Sequence, residues 1–409
     1  MNKGTVESLD FFGQGIIKED GKCIFVKNAL PGEVVSYELL KNNKKFAKGE
    51  TTEIEKSSAQ RIDAPCPHYG VCGGCQFQHV SYEEEVKAKE DHVKNVLRRI
   101  GGFKDIPFLP MDKNTKQFAY RNKVVWHLEK GKTGFFKENS KSFLPISSCL
   151  LLEDALNEAT AVIDTLDLKG IETLAMRSNE KGEIAMVIQG KIAKDEIVKI
   201  EKSCPNIHSI YVDNYIHGNK DFSISLGKIP FELSPKSFFQ VNRQTAADML
   251  DFAKEALGND KKDVLLDLYC GVGAVGIYLA DNFKNLYGIE SFKEAVGYAE
   301  KNAKAQGVKA QFMAGKIENT LTEMLENINK ADVVVVDPPR SGLDKKVAKT
   351  IKDYGSNEIL YISCDPGTMS RDLYVLSDKY TIKTIKPFNL FPRTAHVECV
   401  VLMNRIMEE

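Results

Sequence analysis

A chain of 409 residues, 43% of them hydrophobic and 28% charged, holds enough apolar material for two or three separately packed cores. Its formal net charge of −1 gives no global attraction for a polyanion, and no run of about twenty apolar residues is available to span a bilayer. The first eight residues lack the apolar segment of a secretory leader, so the cytoplasm is the expected compartment; there, nine cysteines serve as metal ligands, catalytic thiols or packing residues more readily than as disulfides.

Residues 1–57 read as a small all-β domain. Short apolar runs at 15–18, 22–26 and 34–39 alternate with the turn signals Glu19-Asp20-Gly21 and Pro31-Gly32, and five such strands could close into an OB-like barrel. Residues 58–237 form a mixed α+β region that opens with clustered cysteines. Ser81, the glutamates behind it and the later lysines and arginines predict a helix over 82–100, stopped by Gly101-Gly102 and able to pack on the catalytic domain. Strands follow at 124–128 and 184–188, with a helix near 153–166. Between Lys104 and Lys141 nine basic residues face four acidic ones and alternate with Phe118, Tyr120, Trp126, Phe135 and Phe136. Such a stretch can hold unpaired bases, or be an amphipathic β segment with solvated lysines.

Residues 238–409 alternate strand and helix. Strands at 264–268, 286–290, 333–337, 359–363 and 380–385 imply an α/β, doubly wound, mostly parallel Rossmann-like sheet. The first runs into Asp267-Leu268-Tyr269-Cys270-Gly271-Val272-Gly273-Ala274-Val275-Gly276, where Gly271 and Gly273 permit a tight turn against a nucleotide. Glu290 ends the next strand where a ribose-binding acid belongs, so a dinucleotide site and nicotinamide redox chemistry stay open. S-adenosylmethionine is favoured because Asp267 places a carboxylate before the glycines, where it could meet the ammonium of the cofactor, and no second nucleotide-binding half is apparent.

Two further strand ends carry chemistry. One delivers Asp337-Pro338-Pro339-Arg340, the other Cys364. A strand-end cysteine is usually a packed hydrophobe, and a strand-end aspartate a helix cap; together they are more telling. The C5 carbon of uracil is a poor nucleophile until a thiolate adds to C6. After methyl transfer a base must remove the C5 proton so that the thiolate can leave. His396 and Glu398 alternate onto one face of a late strand, and either could be that base or a strand-edge polar pair.

SPKSFFQVN (234–242), DLYCGVGAVGI (267–277), DPPR (337–340), SCDPGTMSRDL (363–373) and FPRTAHVECVVL (391–402) resemble, in order and spacing, the successive motifs of the RNA uracil-5 methyltransferase family. The resemblance implies Cys364 as the C6 nucleophile, Glu398 as the general base and S-adenosylmethionine contacts at Gln240, Tyr269, Glu290 and Asp337. Upstream, Cys66, Cys72, Cys75 and Cys149 resemble the four-cysteine site of members that carry a [4Fe-4S] cluster, with structural zinc as the competing ligand. His68 and His79 flank that site and are expected at the surface or just behind the ligands. Cys23, Cys204, Cys270 and Cys399 match no ligand pattern. Gly13-Gln14-Gly15 and Leu30-Pro31-Gly32-Glu33 make the N-terminal domain similar to a TRAM domain. Tyr120-Arg121-Asn122-Lys123 also resembles a family motif, expected either to touch RNA or to lie at a solvated strand edge.

Members with both a TRAM domain and a cysteine site most often modify large-subunit ribosomal RNA. The resemblance therefore implies a monomeric 23S ribosomal RNA (uracil-5-)-methyltransferase. A tRNA enzyme of the same mechanism and a non-catalytic RNA-binding protein are the alternatives.

Overall fold

The computed structural model describes residues 2–113, 115–166, 168–213, 215–328 and 330–407, which fold around four sheets. Runs of β-branched and aliphatic residues bounded by polar turns build the C-terminal sheet. Its seven strands lie in the order Ala310–Ala314, Phe283–Glu290, Lys262–Leu268, Val333–Val336, Glu358–Ser363, Glu398–Arg405, Tyr380–Phe388. The first five are parallel; Glu398–Arg405 runs antiparallel to them, and Tyr380–Phe388, antiparallel to that strand in turn, has the direction of the first five. The strand Ala310–Ala314 was not legible in the sequence, because AQFMA alternates too weakly to stand out from the helix before it.

Period-two alternation sends the residues of each central strand to opposite faces. Leu266, Leu268, Val334, Val336, Ile359 and Tyr361 belong to one core, whereas Leu265, Val333, Val335, Leu360 and Ile362 belong to the other. Helices Ile317–Glu326, Lys345–Tyr354 and Pro366–Leu376 contribute to the first core, as does Tyr82–Arg99 through Tyr82, Val86, Val93 and Leu97. Helices Arg243–Leu257, Ala274–Leu279 and Lys293–Ala305 cover the second face, together with the hairpin Phe222–Leu226/Ile229–Leu233. The strand order reverses between Lys262–Leu268 and Val333–Val336. Connections leave that point in opposite directions, which opens a crevice at the carboxyl ends of the two strands.

The central sheet also has seven strands, from Tyr215–Gly218 at one edge to Phe143–Pro145 at the other, with Asp154–Ile163 and Lys194–Ser203 as its helices. Trp126 is fully buried there. It stacks on Phe135 at 4.5 Å and donates from Nε1 to Thr160 at 2.9 Å. Tyr120 is buried as well. The basic, aromatic stretch from 104 to 141 is thus no continuous base-stacking surface: packing outcompetes exposure for its largest rings, and of the five aromatics Phe136 alone is an exposed one.

The N-terminal sheet has six strands rather than five, ordered Asn2–Thr5, Val34–Asn42, Phe46–Lys56, Lys22–Lys27, Gly15–Glu19, Ser8–Leu9. Among the described residues no ladder joins its two edge strands, so the expected closed barrel is not observed. Those edges are instead consecutive in the chain: Val6 donates to the Glu33 carbonyl on one side and Glu7 to the Ile16 carbonyl on the other, both at 2.9 Å.

Candidate active site

The parallel strands end at Leu268, Glu290, Val336 and Ser363, and the antiparallel strand Glu398–Arg405 begins beside them because Ser363 pairs with Cys399. One sheet edge therefore presents Tyr269, Glu290, Asp337, Cys364 and Glu398. A cavity at this edge is lined by Gln240, Tyr269, Gly271 and Asp337, with apolar walls that include Phe238, Phe239, Met249, Leu250 and Val272. Asp267, Gly273 and Glu290 lie outside that lining and shape it from behind.

Backbone conformation explains the glycines. Gly273 has φ +82°, and a Cβ there would come within 2.8 Å of the Ile277 side chain. Gly271 lies at φ +55° and donates its N–H to Glu290 Oε2 at 3.1 Å. Tyr269 occupies the left-handed region at φ +67° without being a glycine, and it both lines the cavity and packs against the first core. Asp267 Oδ2 accepts from Gly276 N at 2.8 Å, while Oδ1 is buried without a partner.

Burial raises the Asp267 carboxyl to about 8, with further repulsion from Asp337 and Glu290; burial alone raises Asp337 to about 7. Acidic side chains beside an apolar cleft, two of them held protonated by burial, suit a ligand with an apolar or aromatic body and positive charge. S-adenosylmethionine fits, through its sulfonium and ammonium.

Next to this crevice, burial holds the Cys364 thiol up to about 12, with Glu398 and Asp337 raising it further and Arg340 opposing them. Glu398 is 6% exposed and is pushed well above the usual carboxylate range by burial, then by Asp337, against the pull of Arg340. Thiol and carboxyl are both neutral at rest. Arg340, a motif residue to which no role was attached from sequence, is the cation that opposes the acids at both groups. It donates from Nη2 to His396 Nε2 at 3.2 Å, and burial lowers His396 to about 4. An imidazole already accepting from a guanidinium and so weakly basic is the poorer candidate base.

Two supports were not legible in the sequence. Buried Arg177 donates to the Ser237 carbonyl at 3.0 Å and the Phe239 carbonyl at 3.4 Å, and Asn122 Nδ2 donates to the Gln240 carbonyl at 3.1 Å. These bonds set the loop that carries Gln240. Tyr120 and Asn122 of the motif Tyr120-Arg121-Asn122-Lys123 are turned inward, Tyr120 donating to the Pro392 carbonyl at 3.0 Å, whereas Arg121 and Lys123 alternate with them and stay partly exposed. The second support centres on Glu85, whose Oε1 accepts from Lys89 Nζ at 2.8 Å, Asn389 Nδ2 at 2.9 Å and Arg393 N at 2.9 Å. Arg393, at φ +67°, donates in turn to the Phe77 and Val80 carbonyls at 3.0 and 2.8 Å. The segment leading into Glu398 is bolted through these bonds to helix Tyr82–Arg99 and to the cysteine loop.

Cys66, Cys72, Cys75 and Cys149 line one cavity of ≈ 270 Å³ together with Gly73, Gly74, Gln78 and Arg121. Among the described residues no group of three or more His, Cys, Asp or Glu is set closely enough to hold a single metal ion. His79 is 4% exposed, contrary to a surface position, because its ring stacks on Tyr69 and its Nδ1 bonds the phenol at 2.5 Å. Cys204, Cys270 and Cys399 are buried. Among the described residues no helix is long and apolar enough to cross a membrane.

The family model described as tRNA (Uracil-5-)-methyltransferase matches residues 208–406. An RNA methyltransferase of Bacillus cereus is 33% identical over 98% of this chain and 95% of its own length. One of Caldanaerobacter subterraneus is 34% identical over 98% and 97%. The fold is similar to that of Pyrococcus abyssi tRNA (uracil-54, C5)-methyltransferase, solved with S-adenosyl-L-homocysteine: TM-score 0.78, 24% identity, covering 98% of this chain and 99% of that one. The chain belongs to the RNA uracil-5 methyltransferase family and is an S-adenosylmethionine-dependent RNA methyltransferase.

Proposed function

We propose that this protein methylates C5 of a uridine in 23S ribosomal RNA through a covalent adduct on Cys364, acting as a cytoplasmic monomer. The observation that carries the chemistry is the meeting of Cys364, Glu398, Asp337 and Arg340 at one sheet edge beside the carboxylate-rich crevice. When bound, S-adenosylmethionine supplies a methyl group made electrophilic by its sulfonium. Gln240, Tyr269, Gly271 and Asp337 would line it, with Asp267, Gly273 and Glu290 supporting the loop.

Cys364 Sγ, as thiolate, adds to C6 of the uracil and makes C5 the nucleophilic carbon, which takes the methyl. Glu398, ionised once its own proton and that of the thiol have passed to solvent, then accepts the C5 proton, the C5=C6 double bond re-forms and the thiolate leaves. Arg340 favours the ionised states of both Cys364 and Glu398. A positive charge beside Asp337 would act in the same sense.

The N-terminal sheet serves here as the TRAM domain, with domain boundaries at 57 and 237. Cys66, Cys72, Cys75 and Cys149 would hold a [4Fe-4S] cluster, with structural zinc as the competing ligand; what supports a shared centre is that the four thiols line one cavity. The pairing of a TRAM-like sheet with that cysteine site supports ribosomal RNA as the substrate. A tRNA substrate is the second reading, favoured by the name of the matching family model and of the Pyrococcus abyssi enzyme.

The test is cofactor-dependent release of tritium from C5-labelled uridine in unmodified 23S ribosomal RNA, with a tRNA pool run in parallel. Release from ribosomal RNA is expected, and Cys364→Ala should abolish it while sparing cofactor binding. Release from tRNA alone would move the substrate and keep the chemistry. Turnover by Cys364→Ala would remove the covalent route.

A further inference from the structure

Beyond the catalytic edge, the turn Asp10–Gln14 of the N-terminal sheet carries an aromatic ring that packing leaves about half exposed. Phe12 is 53% exposed. The turn that carries it is rigid. Asp10 Oδ1 accepts from Phe12 N at 2.9 Å and Gln14 N at 2.7 Å, and Asp10 N donates to the Gln14 carbonyl at 2.8 Å. Gly13, at φ +72°, sits so close to the cysteine loop that a Cβ would meet the Gln76 carbonyl at 2.5 Å.

The location matters as much as the exposure. Phe11 contacts Phe12 at 4.0 Å between ring centroids and stacks on His92 of helix Tyr82–Arg99 at 4.6 Å and 18°. His92 feels the carboxylate of Asp365, the residue next to the nucleophile. Gln76, against which Gly13 is wedged, accepts through its side chain from Ala395 N at 2.9 Å, one residue before His396. The turn is thus anchored from two sides to the segments that carry Cys364 and Glu398. One basic group is close to the turn, Lys48 beside Asp10, while Lys18 is ion-paired with Glu7 at 2.8 Å.

We infer that Phe12 is a stacking platform at the rim of the catalytic pocket for a base of single-stranded RNA flanking the target uridine. The inference rests on the uracil reading of the site and adds the element that receives the neighbouring nucleotide. A uridine can reach Cys364 only after leaving its stack, and its flanking base then loses a stacking partner. A rigid phenyl ring replaces that partner without selecting the base, and Lys48, on the same side as Asp10, meets a phosphate.

The experiment compares wild type with Phe12→Ala, Phe12→Leu and Phe12→Tyr, all at an exposed position, with the fold checked by thermal melting. Three quantities are read: affinity for the labelled RNA by fluorescence anisotropy, KM and kcat for tritium release, and affinity for S-adenosylmethionine. Phe12→Ala and Phe12→Leu should weaken RNA affinity and raise KM by roughly five- to 150-fold. Phe12→Tyr should restore both, and cofactor affinity should not change. Unchanged RNA affinity in Phe12→Ala overturns the inference, whatever protein the surface captures instead. A Leu variant as good as wild type does so too, since an aliphatic side chain cannot stack. If wild type releases no tritium yet Phe12→Ala still loses RNA affinity, the platform stands and the uracil reading fails.

Discussion

At the residue scale, the acids and the thiol at the sheet edge are more telling than any of them alone. Glu398 is buried and held neutral at rest, which makes it a strong base once the local field turns positive. Replacing it by Gln should let Cys364 add to uracil and the methyl transfer proceed, but hinder loss of the C5 proton. A protein–RNA conjugate that survives denaturing electrophoresis is the expected product, with turnover lowered by about two to four orders of magnitude. A Glu398→Gln protein that turns over normally and traps nothing would assign the proton to another base.

Asp337 and Asp267, raised to about 7 and about 8, still carry protons at neutral pH in the free protein. A cationic cofactor favours their ionised forms, so its binding should release protons and tighten as pH rises from about 6 to about 8. Calorimetry in buffers of different ionisation enthalpy measures this directly. Affinity independent of pH would remove the carboxylates from the cofactor site. The sign for stability is opposite: these raised carboxyls stabilise the free protein at pH below the unfolded value near 4, and that contribution is lost as pH rises through 7 and 8.

At the scale of elements, helix Tyr82–Arg99 is more than a connector. Its Glu85 and Lys89 are 0% and 1% exposed and hold Asn389 and Arg393 on the segment that leads into Glu398. Glu85→Gln leaves two buried cations without their carboxylate, so unfolding in urea should show a loss of about 3–5 kcal/mol. If enough protein stays folded to assay, kcat should fall while cofactor affinity holds, since the defect lies on the side of the base. A stable, fully active Glu85→Gln protein would show that the segment 389–396 positions itself. Arg177 plays the corresponding part on the cofactor side, where it and Asn122 fix the loop bearing Gln240.

At the scale of the whole molecule, the cysteine cavity borders the same loop, residues 66–79, that reaches the catalytic edge through Gln76. Protein purified without oxygen should be brown with about four irons per chain, whereas colourless protein with one zinc would replace the cluster by a single ion. Removing the metal should lower activity on RNA more than affinity for S-adenosylmethionine, because the cysteine loop braces residues 393–395 rather than the crevice. Equal losses in both would place the metal's influence on the entire fold.

The sequence by itself determined the local features whose cause is local. Short apolar runs predicted five of the seven strands of the C-terminal sheet as such, Ser81 and its acidic first turn marked helix Tyr82–Arg99, and glycines announced the turn at 271–273. Cys364, Asp337 and Glu398 stood out because each ends or begins a strand within a recognisable motif. What lay beyond reach depends on contacts between residues distant along the chain. Trp126 and Tyr120 were indistinguishable from base-stacking aromatics until packing buried them, and Asn122, within a motif that also carries two basic residues, turned inward to hold the loop of Gln240. The protonation of Cys364 and Glu398 is likewise a tertiary property, since it arises from burial and from the charges that the sheet gathers around them. Composition and order can name a nucleophile; only the fold decides which groups surround it, and hence when it can act.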